Sequence, residues 1–146
     1  MGWIENGRFG LEVMFRRINL AGVMTLTLTK AVNGVGRYSA NLNYDPSVGT
    51  WSIPVAGGQT VTVFDWSWMG SQPVGWIIAK LVIDTNDLTL WRAIIGDNGA
   101  DLNQYSLERQ EDAEGESLRI TIGGYPLAGY TSAMYIGHVI VTRDEP

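Results

Sequence analysis

Val23-Met-Thr-Leu-Thr-Leu-Thr-Lys30 sets Met24, Leu26 and Leu28 against Thr25, Thr27 and Thr29. A period of two puts alternate side chains on opposite faces, so this stretch reads as a strand with one face buried and the other wet. The same alternation runs through Phe9, Leu11, Val13 and Phe15, through Tyr38, Ala40, Leu42 and Tyr44, and through Leu118, Ile120 and Ile122. Turn signals separate the runs: Asn19 to Gly22, Asn33-Gly34, Asp45-Pro46, Gly57-Gly58, Asp84 to Asp87, Asp97-Asn98-Gly99 and Gly123-Gly124. Strands recurring about every 8–12 residues predict an all-β fold, a single-domain jelly roll or β-sandwich of about ten strands. The domain is expected over 1–146, with 1–8 as a candidate N-terminal arm.

Composition agrees. The 146 residues suit one core, and 18 glycines with only 17% charged residues fit short strands joined by tight turns. Net charge is −5 and the only lysines are Lys30 and Lys80. No basic stripe is available for phosphates or anionic lipid, so neither nucleic acid nor membrane is expected as a partner. There is no cysteine, hence no disulfide framework and no thiolate chemistry. The N-terminus shows neither a basic leader nor an apolar run before a small-residue cleavage site. Synthesis in the cytoplasm followed by release on a particle such as a virion is the expected route to any extracellular role.

Three segments break the alternation. Gln59 to Trp68 is apolar on one parity at Val61 and Val63 and on the other at Phe64, Trp66 and Trp68, which predicts either a bulge or two covered faces. Trp76 to Ile83 and Ala133 to Val141 are nearly continuous apolar runs of strand length. A sandwich buries one face of each sheet, so strands apolar on both faces point to a partner subunit and predict a homo-oligomer.

Tyr44, Trp51 and Gly57 stand at the spacing aromatic, six residues, aromatic, five residues, glycine. This segment resembles the signature of the globular head of complement component one, q subunit, one of the tumour-necrosis-factor-like jelly rolls. Tyr135-Ile-Gly137-His-Val-Ile140 is similar to that family's closing strand. Ser39, Asn33, Gln59 and Val61 depart from its pattern. The resemblance implies a ten-strand jelly roll, a tight trimer and binding rather than catalysis.

Catalytic and metal motifs are missing from the sequence. His138 is the only histidine, and its place within an apolar strand favours a packed or interface role. One histidine without cysteine cannot complete a standard zinc site. Neither a dinucleotide fingerprint nor a P-loop is present, so no cofactor is expected. The acidic run Glu108 to Glu116 reads as a solvated loop, with calcium as the sharper alternative. Paired carboxylates as in sandwich glycosidases are the remaining catalytic arrangement; Asp65, between Phe64 and Trp66, is a candidate for a raised pKa.

The candidate contact residues are Trp3, Trp66, Trp68, Trp76, Tyr135 and His138. Trp66 and Trp68 could form a sugar platform, core or a subunit interface, and Trp3 could anchor an N-terminal arm on a neighbour. The expected function is a non-enzymatic assembly module, a homotrimeric head-decoration or tail-associated virion protein bound to itself and to capsid or tail proteins. The alternative is a carbohydrate-binding lectin or receptor-binding tip.

Overall fold

A computed structural model describes residues 7–17, 22–67, 75–111, 115–125 and 134–146. Among these, eleven strands make two antiparallel sheets packed as an all-β sandwich. In chain order they are β1 (Arg8–Arg17), β2 (Val23–Val32), β3 (Gly36–Asp45), β4 (Thr50–Val55), β5 (Gln59–Asp65), β6 (Ile77–Asp84), β7 (Thr89–Ile95), β8 (Asn98–Asp101), β9 (Glu108–Glu111), β10 (Ser117–Tyr125) and β11 (Met134–Arg143). One sheet runs β11-β1-β6-β7-β8; the other runs β10-β2-β3-β4-β5, with β9 beside β3.

Alternation in the sequence becomes the two-sidedness of these sheets. Phe9, Leu11, Val13 and Phe15 of β1 fill the interior with Met24, Leu26 and Leu28 of β2, Leu42 of β3 and Ala79, Leu81 and Ile83 of β6. Each large side chain so buried stabilises the fold by about 1.5–3 kcal/mol. Trp51 is the largest buried side chain, stacked on Tyr44 at 4.6 Å and meeting the rings of Phe15 and Trp66 edge-on at 6.0 Å. The spacing of Tyr44 and Trp51 is thus a strand-turn-strand that makes the two aromatics cross-strand partners.

The break in alternation after Gln59 is a bulge. Ile53 pairs with Val61 but Trp51 pairs with Phe64, so the extra residue returns Phe64 to the core side. Pro54, which has no N–H to give, lies where β4 has already left β3.

Three local expectations are corrected. Gly123-Gly124 is not a turn; both residues lie within β10, opposite Thr25 and Met24, held by the ladder to β2. Asn98 and Gly99 belong to β8, and the reversal falls one step earlier, with Gly96 left-handed at φ 57°. Part of the acidic run is strand: β9 pairs with β3, Arg37 forms an ion pair with Glu111, and Gln110 Nε2 donates to Ser39 Oγ at 2.8 Å.

The ends of the chain are nested. β1 pairs with β11 and β2 with β10, while β2 to β5 and β6 to β8 are meanders of sequential strands. Beyond β11, Asp144 is left-handed at φ 57°. It returns the chain over the outer face of β1 and β6, where Glu145 is buried against Lys80 and Arg92. Gly10 makes room for this crossing: a Cβ there would come 2.5 Å from Thr142 Oγ1 and 2.9 Å from Glu145 Oε1.

Candidate functional site

The surface that stands out is built on β11, among the described residues one of the two edge strands of its sheet. Register with β1 decides which way each residue faces. Ile136, Val139 and Val141 lie opposite Phe15, Val13 and Leu11 and share their inner face; Tyr135, His138 and Ile140 share the outer face with Arg16, Met14 and Glu12. Core residues of β1 are sealed, yet those of β11 are not: Ile136 is 47% exposed, Val139 40% and Val141 44%. Its outer face is open too, with Ile140 at 44% and Tyr135 at 59%.

The opposite sheet behaves alike at the same side. Ile120 of β10 lies beside the buried Leu28 but is 38% exposed. Lys30 of β2 feels both Glu116, which leads into β10, and Arg143 of β11, placing the two edge strands along one margin.

On the outer face a bulge leaves Gly137 without a direct partner on β1. A Cβ at Gly137 would run into Met14 Cε and would lie 3.1 Å from Trp76 Cζ3. The glycine therefore seats Trp76, itself 51% exposed beside exposed Ile78. His138 Nε2 lies 3.2 Å from Glu12 Oε1, so the histidine is tied to the neighbouring strand.

Each expected contact residue has a definite fate. Trp76, Tyr135 and His138 come together on the outer face around β11. Trp66 does not join them; it is half-buried, packed edge-on against Trp51. Trp3 and Trp68 lie outside the described residues. Arg8 opens β1, with its Nε 3.0 Å from Asp84 Oδ2 and its guanidinium 3.6 Å from the centre of the Trp91 ring.

Carboxylates behave differently from the expectation at Asp65. Its carboxyl is held below the usual range by hydrogen bonds from Ser67, side chain and then backbone, so the raised pKa expected beside indoles is corrected. An exposed carboxylate bonded to its own turn is stabilised as the anion. Among the described residues no group of three or more His, Cys, Asp or Glu could hold a metal ion.

Two buried ionic positions escaped the reading of the sequence. Glu145 accepts from Lys80 Nζ at 2.7 Å and Arg92 Nη2 at 3.4 Å, and bonds Thr142. Burial raises its pKa, but the bonds and charge of Lys80, the Thr142 bond and Arg92 outweigh burial and hold it low. Lys30 continues the inward parity of Met24, Leu26 and Leu28 and is fully buried, with Glu116 Oε2 at 3.8 Å. Desolvation lowers its pKa, opposed by Glu116 and reinforced by Arg143. A signal existed for Glu145: Lys80 and Arg92 interrupt otherwise apolar strands.

No protein-family model matches the chain, and the search of curated proteins likewise found no match.

Proposed function

We propose that this domain is a non-enzymatic structural module that assembles with copies of itself through the β11 margin. The setting its sequence suggests is a homotrimer on a virion, as a head-decoration or tail-associated component. The observation that carries the reading is an edge strand of ten residues, apolar and open to solvent on both faces. Edge strands that stay single are normally guarded by lysine, proline, bulges or short length. β11 has the one bulge at Gly137 but neither lysine nor proline, and its only arginine stands at its end.

A second copy is the fitting occupant because it would bring the other open strand of the same margin: β11 of one copy against β10 of the next is a heterologous contact, the kind that closes into a threefold ring. Eight large side chains contribute: Trp76, Ile78, Ile120, Tyr135, Ile136, Val139, Ile140 and Val141. Their exposed surface is on the order of 700 Å² per copy, close to the roughly 800 Å² that each partner gives a standard interface. The other doubly apolar strand, β6, needs less help. Val82 of its outer face is already buried, on the face that the chain's own Glu145 crosses.

Sedimentation equilibrium at micromolar concentration tests the proposal. A trimer that dissociates on Val139→Lys, with the monomer keeping its β-sheet circular dichroism, is expected; a monomeric parent protein overturns it. Glycan binding at Trp76 and Tyr135 is the second reading, favoured by two rings more than half exposed on one face. It requires binding that Trp76→Ala abolishes.

A further inference from the structure

The outer face of the second sheet differs from everything around β11. Thr25 and Thr27 of β2 stand opposite Asn43 and Asn41 of β3. Thr25 Oγ1 donates to Asn43 Oδ1 at 2.9 Å, and Thr27 Oγ1 donates to Asn41 Oδ1 at 2.7 Å. Together with Val23 these four side chains line a groove of about 440 Å³ that lies open to solvent.

From this geometry we infer that the groove binds a neutral saccharide. Each threonine hydroxyl spends its proton on an asparagine carbonyl oxygen, which fixes the amide with its Nδ2 group as the free end. Each Thr–Asn pair therefore offers two N–H donors and the remaining lone pairs of the threonine oxygen. Two such units follow one another at about 7 Å along the strands. Sugar hydroxyls both donate and accept, so a polyhydroxyl ligand uses both halves of each unit, while the Val23 methyl groups suit the C–H side of a ring.

Competing ligand classes fit less well. Among the described residues no charged side chain lines the groove, so an anion or cation finds no counter-charge there. An extended peptide binds by its backbone to a free sheet edge, whereas this groove lies on a sheet face whose strands are already laddered to each other. Space beside the groove is open. Gly123 of β10 lies opposite Thr25, and a Cβ built there meets nothing within 4 Å.

That glycine supplies a blocking variant. Its backbone is not left-handed, so Gly123→Leu keeps the strand and places a side chain beside Thr25. Saturation-transfer NMR with maltohexaose, mannohexaose, galactohexaose and chitohexaose is the direct test, with a heparin hexasaccharide as the anionic comparison. Transfer to at least one neutral probe is expected. Titration should show at least a tenfold loss of affinity in Gly123→Leu and in the double variant Asn41→Ala, Asn43→Ala, with unchanged melting temperatures. Val139→Lys and Trp76→Ala should bind like the parent, which separates this groove from the β11 margin. The inference is overturned if no neutral probe binds, if heparin binds more tightly, if both groove variants bind like the parent, or if Trp76→Ala abolishes binding.

Discussion

Glu145 and Lys30 show how differently two buried charges can act in one small core. Glu145 has three partners, and its lowered pKa makes a clear sign prediction. The carboxylate contributes stability above the usual glutamate value of 4.5, and that contribution is lost as pH falls through the lower folded value. Glu145→Gln should cost about 2–3 kcal/mol at pH 7. Urea midpoints of the two proteins should converge as the solution is acidified below that point. Lys30 works the other way: its folded pKa is below the usual 10.5, so stability should rise with pH between the folded value and 10.5. Lys30→Met removes the titrating amine and keeps the volume, but takes the cation away from the buried Glu116 Oε2. A cost of about 1–3 kcal/mol at neutral pH, with the alkaline rise abolished, is expected from the same midpoints.

At the level of elements, glycines that look alike in sequence hold opposite roles. Gly57 and Gly58 join β4 to β5 with φ of 94° and 76°, angles that cost other residues about 1 kcal/mol. Gly57→Ala should destabilise by about that amount, whereas Gly123→Ala should be neutral or stabilise by up to about 1 kcal/mol, because its strand conformation suits any residue. Thermal unfolding of the pair measures the contrast. The same pair shows what was legible beforehand. Alternation in Val23–Lys30 and Phe9–Phe15 and the parity switch after Val63 are local patterns; the first two read correctly as strands, and the switch reads as a bulge or two covered faces, of which the structure has the bulge. Whether Gly-Gly turns or pairs depends on a ladder to β2, a strand distant in sequence. β9 was hidden for a like reason, since its charges read as solvent-facing while its backbone completes β3. Of the contact residues, Trp76, Tyr135 and His138 were visible as aromatics or the single histidine in apolar runs. Thr25, Thr27, Asn41 and Asn43 looked like ordinary wet faces, because only the register brings them into pairs.

For the whole molecule, the two proposals fall on different surfaces: an apolar margin at one side and a groove of hydroxyl and amide side chains on the outer face of the second sheet. If both proposals hold, assembly leaves that face free, because the groove residues lie on the outer side of β2 and β3 while the margin is formed by β10 and β11. The nested pairing of the chain ends has a consequence in time. The meanders β2 to β5 and β6 to β8 join neighbours in sequence and can form early, but Phe9 must find Arg143 at the far end of the chain. Pairings of such high contact order are slow, typically milliseconds to seconds in all-β domains. During synthesis β1 emerges well before its partners and is therefore completed late, with Phe9, Leu11, Val13 and Phe15 waiting for β6 and then β11. Until β11 arrives the open edge of this sheet is that of β1, and for that interval it is there that a second nascent chain would intrude.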